Sequence, residues 1–197
     1  TFETDATVYW RVAAVDERGK MVSSPIFSFV TEGEFSEDKL GSMVEVPAGE
    51  FLMGCDRSVD AVFNCLDREL PLHAVYLDGY AIDKYEVTNR EYQSCVAAGA
   101  CDPPRRNVSR LHDSYYGNPN FDLFPVIYVS WWNAQDYCAW EGKRLPTEAE
   151  WEKAARGDID TRTWPWGEEA PDCSRQNFTI PPTKEFCAGG DTIRVGS

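Results

Sequence analysis

The chain has 197 residues, which is room for one ordinary domain or for one domain and part of another. With 43% hydrophobic and 26% charged residues, its composition argues against a disordered or collagen-like chain. The formal charge of −14 repels phosphate backbones, so nucleic acid and anionic membrane faces are disfavoured as partners. No apolar run approaches the roughly 18 residues that a membrane span requires.

The first 33 residues are predicted to form one β-hairpin. Residues 7–15 and 26–31 are rich in β-forming side chains, and 16–20 supply the turn. A lone hairpin is marginally stable in water, so we expect it to pack, by strand pairing, against a protein partner or the remainder of a longer chain. The polar, acidic residues 34–42 are predicted to form a linker.

From residue 43 onward the pattern predicts an α+β domain with long loops. Short strands are predicted at 43–47, 50–54, 73–77 and 80–83. Three helix starts follow. Thr88 with Glu91 and Thr147 with Glu150 form capping boxes, in which a hydroxyl and a carboxylate satisfy amide groups reciprocally. Ser130 is the expected cap of the helix between them.

Seven cysteines are many for a cytosolic protein of this length, and none lies in a zinc-knuckle spacing. Six fall into couples that each close a short loop: Cys55 with Cys65, Cys95 with Cys101, and Cys173 with Cys187. Such stapled loops are typical of an oxidising compartment, so we expect an extracytoplasmic protein. Six cysteines allow 15 connectivities, and local pairing is one of them. Cys138 is left over.

The other side chains that could take part in catalysis or ligand binding have structural explanations. His73 and His112 stand far apart, and no Ser-His-Asp order accompanies them. The helical tryptophans are expected to pack in the core: Trp131, Trp132, Trp140 and Trp151. An aromatic platform for a glycan or a peptide is the alternative.

Six motifs occur in an order that resembles the formylglycine-generating enzyme (sulfatase-modifying factor) family. They are VPAGEFLMG at 46–54, ELPLHAV at 69–75, DKYEVTN at 83–89, PVIYVSW at 125–131, RLPTEAEWE at 144–152 and WPWG at 164–167. The resemblance spans 43–197 and implies a partial C-type-lectin-like fold for that stretch.

The N-terminal hairpin resembles a second family. The run Thr-x-Tyr-x-Trp-Arg-Val-x-Ala-x-Asp from residue 7, followed by Phe-Ser-Phe-Val-Thr at 27–31, is similar to the last two strands of a fibronectin type III domain. The resemblance implies that 1–33 belong to a β-sandwich whose other strands come from a longer polypeptide or from another chain.

The formylglycine resemblance bears on activity. Enzymes of this family are copper-dependent oxidases that convert a sulfatase cysteine into formylglycine, using two cysteines near the end of the domain. The segments that precede those cysteines do not occur here, so the resemblance implies no catalytic residue and no copper site in this chain. We expect a non-catalytic module with an adhesion or assembly role; the alternative is an oxidase whose catalytic cysteines lie beyond residue 197.

The resemblance also implies a calcium site and two explanations of Cys138. Calcium would be bound by the Asn177 side chain, the Phe178 carbonyl, the Asp191 side chain and the Ile193 carbonyl, which are the hard oxygen ligands that it prefers. The alternative is that Asn177 caps its own loop. In some family members the cysteine corresponding to Cys138 pairs with one further along the chain; a buried free thiol is equally expected.

Overall fold

A computed structural model gives the three-dimensional structure. It describes residues 6–10, 13–15, 21–23, 27–31, 37, 40–56, 65–156, 172–173, 177, 179–180 and 185–196. The WPWG motif and Phe178 lie outside these residues. Among the described residues, no helix is both long and apolar enough to cross a membrane.

The N-terminal residues form the antiparallel pairing expected from the sequence. Strand β1 (Ala6–Trp10) pairs with β4 (Phe27–Thr31), and β2 (Ala13–Val15) pairs with β3 (Met21–Ser23). The two ladders follow each other along one hairpin. Membership of a fibronectin type III sandwich, and with it the division of the chain at 33 and 42, stays a prediction.

The next four strands form a bent two-stranded ribbon. They are β5 (Met43–Val46), β6 (Gly49–Met53), β7 (His73–Leu77) and β8 (Tyr80–Asp83). Strand β6 pairs with β7, the next strand along the chain, and β5 pairs with β8 outside them, so the two pairings are nested. The ladder is interrupted where Pro47 and Ala48 stand opposite Asp78 and Gly79. Proline has no amide hydrogen to donate to the ladder, which accounts for a break at this place.

Three helices follow at the predicted positions: α1 (Asn89–Ala97), α2 (Trp131–Trp140) and α3 (Glu148–Arg156). Both capping boxes are confirmed, since the Thr88 amide donates to Glu91 at 2.8 Å and the Thr147 amide to Glu150 at 2.7 Å. Two short strands come last, β9 (Thr179–Ile180) and β10 (Glu185–Phe186). Short 3₁₀ turns lie at Asp67–Glu69, Pro119–Phe121 and Cys187–Gly190.

The main buried cluster lies between α1 and α2. Tyr92 of α1 stacks on Tyr137 of α2 with ring centroids 5.7 Å apart, and both residues are buried. Cys95 and Cys101 complete the cluster and are joined by a disulfide. The end of α1 is therefore fixed covalently to the loop that follows it.

The structure contains three disulfides, and they join the same couples that the spacing suggested. They are Cys55–Cys65, Cys95–Cys101 and Cys173–Cys187, with 10, 6 and 14 residues of sequence separation. Each bond closes a short loop, which limits the conformations of the unfolded chain and so stabilises the fold.

Lys153 of α3 binds the carbonyl groups at the bend of the ribbon. Its Nζ donates to the carbonyl oxygens of Pro47 and Gly49, each at 2.8 Å, and only 7% of the residue is exposed. The Tyr80 hydroxyl donates to the carbonyl of Glu150 in the same helix. The helix thus supplies hydrogen bonds where the ladder cannot.

The last turn of α3 binds the end of β6 in the same way. The Gly54 amide donates to Glu152 Oε1 at 2.7 Å, and the Arg156 guanidinium donates to the Gly54 carbonyl. Arg156 Nε also donates to Glu152 at 2.9 Å. Gly54 precedes Cys55, so these bonds also position the first disulfide loop.

The tryptophans of helix α2 differ from the expectation that they pack in the core. Ser130 caps the helix as predicted, since its hydroxyl accepts a hydrogen bond from the Asn133 amide at 3.1 Å. However, Trp131, Trp132 and Trp140 are exposed, and Tyr137 is the only residue of α2 that is buried. The expectation that these three tryptophans pack in the core is wrong. Among the described residues, only the side of α2 that carries Tyr137 packs against another part of the protein. Trp151 is half-buried.

The contact between Lys153 and the bend gives a direct test. We expect Lys153→Met to lower the free energy of unfolding by about 2–4 kcal/mol, because two carbonyl groups lose a charged donor in a buried place. Urea denaturation measures this change. Glu148→Gln, at an exposed position of the same helix, is the matched control and should change stability by less than about 0.5 kcal/mol. Equal effects of the two substitutions would contradict this role of Lys153.

Candidate functional site

Asp191 lies at the centre of the polar network that binds the C-terminal segment. Its Oδ2 accepts hydrogen bonds from the Ser109 hydroxyl at 2.6 Å and the Leu111 amide at 3.0 Å, and its Oδ1 accepts one from the Thr192 amide at 2.9 Å. Burial by itself would raise the pKa of Asp191, but these hydrogen bonds outweigh it and lower the pKa below the ordinary value. Asp191 is therefore an ionised, buried carboxylate.

The same network brings a serine, a histidine and an aspartate together, but not as a catalytic triad. The Ser109 hydroxyl donates directly to Asp191, and it accepts from the backbone amide of His112 at 3.2 Å. His112 Nε2 lies 3.9 Å from Asp191 Oδ2, which is beyond hydrogen-bond distance. Nucleophilic catalysis needs the hydroxyl to bond to the imidazole. The trio joins two loops and has no activated nucleophile.

The residues expected to bind calcium are only partly brought together. Asn177 Nδ2 donates to the Asp191 carbonyl at 2.6 Å, Ile193 is exposed, and Phe178 lies outside the described residues. The Asp191 carboxylate already accepts three hydrogen bonds out of about four lone-pair directions. The carboxylate therefore has about one lone-pair direction left for an ion. The described parts of the chain contain no group of three His, Cys, Asp or Glu that could hold a metal.

Calcium binding therefore stays a prediction from the family resemblance. A melting temperature that rises in calcium chloride relative to EGTA would establish it, since a ligand that binds only the folded state stabilises it.

A second polar cluster lies beside the first and was not found from the sequence. Tyr115 is fully buried, and its hydroxyl donates to the Pro125 carbonyl at 2.7 Å and accepts from Thr192 at 2.9 Å. Asn89 is also fully buried, and its Oδ1 has no hydrogen-bond partner. Glu86 is half-buried and lies nearby. The pKa of Tyr115 is raised mainly by burial and, to a smaller extent, by the charge of Glu86.

Glu86 is the unusual titrating group of this cluster. Desolvation raises the pKa of its carboxyl group to about 8, so that it holds a proton at pH 7. A neutral carboxylic acid can donate a hydrogen bond, whereas a carboxylate only accepts. Groups with such shifts occur at functional sites but also at purely structural ones. Glu86 lies within a family motif, but nothing in the spacing showed that it would be desolvated.

Cys138 is the one cysteine outside the three disulfides. Partial burial raises the pKa of its thiol, and the nearby carboxylate of Asp83 raises it further, although Lys143 opposes them. Lys143 itself donates to Asp83 at 2.7 Å. A thiol with a raised pKa is a weak nucleophile and a weak metal ligand. Both explanations of Cys138, a free thiol and a cysteine with a partner elsewhere, remain open.

The raised pKa of Glu86 predicts how stability depends on pH. In the unfolded chain this carboxyl group ionises near its ordinary pKa of about 4.3, whereas the folded protein keeps the proton until about pH 8. The unfolded state then binds fewer protons, so stability falls as pH rises from about 4.5 to about 8, by at most about 1.4 kcal/mol per pH unit.

We expect Glu86→Gln to remove this slope, because the amide does not titrate. Urea denaturation of both proteins at a series of pH values between 5 and 8 measures it, with Glu148→Gln as the exposed control. Parallel pH curves for the wild type and Glu86→Gln would show that the folded protein does not hold this proton.

Comparison with known proteins gives several clear relatives. The Serine/threonine-protein kinase pkn1 of Chlamydia pneumoniae is 36% identical over 178 residues, covering 83% of this chain and 27% of the kinase. The formylglycine-generating enzyme of Thermomonospora curvata is 32% identical, covering 79% of this chain and 62% of that protein. The protein named inactive C-alpha-formylglycine-generating enzyme 2, from Bos taurus, is 33% identical, covering 68% and 55%.

Among solved structures, PvdO from Pseudomonas aeruginosa is similar, with a TM-score of 0.50 and 27% identity over 75% of this chain and 64% of PvdO. The chain thus spans less than two thirds of the length of each of these relatives. The family model described as the sulfatase-modifying factor enzyme 1-like domain matches residues 30–183, which is most of the chain and begins within β4. This chain therefore belongs to the FGE-sulfatase family, that of the sulfatase-modifying factor enzyme 1-like domain.

Proposed function

We propose that this chain is part of a non-catalytic, extracytoplasmic binding or structural module of a larger surface or secreted protein. Its role would be adhesion or assembly. Its partner would be another protein or the remainder of its own longer chain, and a glycan ligand is compatible with the exposed tryptophans.

The distribution of the seven cysteines is the observation that carries this proposal. Six of them are joined in three disulfides, which leaves Cys138 alone. The oxidase chemistry that the family resemblance implies needs two cysteines that act together. Cys138 has no second thiol beside it, and its raised pKa disfavours the thiolate that would bind copper or attack a substrate.

The polar network around Asp191 also supports a structural role. Ser109, His112 and Asp191 contain the residue types of a hydrolase, but their hydrogen bonds join two loops instead of activating the serine. Asp191 has its lone pairs bound by protein donors and is not available as a general base for a substrate.

The names of two relatives also support the proposed non-catalytic role. One relative is named inactive, and another is named a protein kinase, of which this kind of domain covers only about a quarter. Domains of this family therefore occur in proteins that are not named as formylglycine-generating enzymes. Function has to be argued from the residues of each domain and not from the fold.

The disulfides support the proposed compartment. Three local bonds in a chain of this length are typical of oxidising environments, because cytosolic thiols are kept reduced.

The alternative is that the chain is part of a copper-dependent formylglycine-generating oxidase. The relative from Thermomonospora curvata, which carries that name, is the observation that favours it. In that case the catalytic cysteines would be supplied by polypeptide that follows residue 197, and this chain would contribute the scaffold beneath them.

A direct assay separates the two functions. We expect the full-length gene product, loaded with copper and supplied with oxygen and a reductant, to leave the cysteine of a sulfatase-derived peptide unmodified, as measured by mass spectrometry. The Thermomonospora curvata enzyme, assayed under the same conditions, is the positive control. Formylglycine in the product peptide would establish the oxidase and overturn the non-catalytic proposal.

A further inference from the structure

The C-terminal segment, residues 191–196, contacts two tyrosines that are neighbours of the Glu86 carboxyl group. Val195 is fully buried and packs with Tyr85, the residue before Glu86. Thr192 donates a hydrogen bond to the hydroxyl of Tyr115 at 2.9 Å, and the charge of Glu86 contributes to the raised pKa of that same hydroxyl group. The segment therefore passes beside the Glu86 carboxyl group.

The same place contains a buried hydrogen-bond acceptor without a donor. Asn89 is fully buried. Its Nδ2 donates to the Phe121 carbonyl at 2.9 Å, but its Oδ1 has no partner among the described residues. The Asn89 amide and the Glu86 carboxyl group both lie close enough to the Tyr115 hydroxyl to affect its pKa. A buried amide oxygen without a donor is costly, and a protonated carboxyl group is a donor whereas a carboxylate is not.

The charged groups around Glu86 do not favour its carboxylate form. Desolvation accounts for the raised pKa of Glu86, with no contribution from a nearby cation. Arg90 and Arg194 both bind Glu37, and Lys84 lies over the ring of the adjacent tyrosine. The titratable or charged groups on the surrounding elements are Lys84, Arg90, Glu91, Tyr115, Asp191 and Arg194.

We propose that residues 191–196 form a pH-dependent cover, which closes over a protonated Glu86 carboxyl group that donates to Asn89 Oδ1 and opens when that proton is lost. In the closed state, the proton supplies the donor that Asn89 lacks. Loss of the proton places a carboxylate against an amide oxygen, with the ionised Asp191 in the same segment. A buried charge without a donor is costly, and opening of the segment removes this cost because water then reaches both groups.

The direction of the pH dependence follows from the proton bound in each state. The closed state keeps the proton of Glu86 until about pH 8, whereas in the open state the hydrated carboxyl group ionises near its ordinary pKa of about 4.3. The open state binds fewer protons between these values, so the equilibrium constant for closing falls by up to about tenfold per pH unit from about pH 5 to about pH 8. Above that range both states are ionised and the equilibrium constant no longer changes.

Hydrogen exchange of single amides in the full-length gene product tests the proposal. The Val195 amide, which donates to the Leu123 carbonyl at 2.9 Å, reports on the cover. The Cys55 amide, which donates to the Glu69 carbonyl at 2.8 Å, is the internal control. After correction for intrinsic exchange rates, we expect the protection of Val195 to fall by up to about tenfold per pH unit between pH 5 and 8, and that of Cys55 to fall less. Glu86→Gln, whose amide donates without titrating, should keep Val195 protected at pH 8.

Several results would overturn the proposal. The protection of Val195 could be independent of pH, or Glu86→Gln could leave its pH dependence as steep as it is in the exposed control Glu148→Gln. Parallel loss of protection at Val195 and Cys55 would indicate global unfolding instead of an opening of the segment.

Infrared difference spectra of the wild type and Glu86→Gln give a readout of the proton itself. We expect the wild type to show the band of a protonated carboxyl group at pH 6, and its absence would also overturn the proposal. None of these measurements depends on the formylglycine assay, so the failure of one proposal is distinguishable from the failure of the other.

Discussion

The fold depends on the hydrogen bonds that α3 supplies to the bent ribbon. The ladder is interrupted at Pro47, where strand pairing leaves carbonyl groups without a hydrogen-bond donor. Lys153 of α3 donates hydrogen bonds to two of these carbonyl groups. Glu152 and Arg156 do the same at Gly54, the residue next to the first disulfide. Backbone groups that lose a ladder partner must be satisfied in another way, and here a single nine-residue helix does so at two places.

The C-terminal segment is held by a different kind of interaction. Asp191 gathers donors from the loop at 109–111, Thr192 reaches the buried Tyr115, and the Val195 amide donates to the Leu123 carbonyl. The polar residues that would first be considered for chemistry are thus used to join loops. Together with the three disulfides, these hydrogen bonds hold the described loops in place.

Local signals predicted well what local interactions determine. The capping boxes at Thr88 and Thr147 and the short disulfide loops depend on residues close in sequence, so their spacing sufficed. Long-range arrangements could not be predicted in this way. The pairing of β5 with β8 and the meeting of Ser109 with Asp191 join residues far apart in sequence. The tryptophans of α2 show the same limit, because a helical spacing states which residues share a side but not whether another layer covers that side.

Non-reducing peptide mapping of the native full-length protein tests the central claim most directly, namely that the cysteines of this chain are structural and belong to an oxidising compartment. The account predicts three linked peptide pairs, Cys55 with Cys65, Cys95 with Cys101 and Cys173 with Cys187, none of them exchanging with Cys138. Seven free thiols, or a bond that joins Cys138 to one of these six residues, would contradict it.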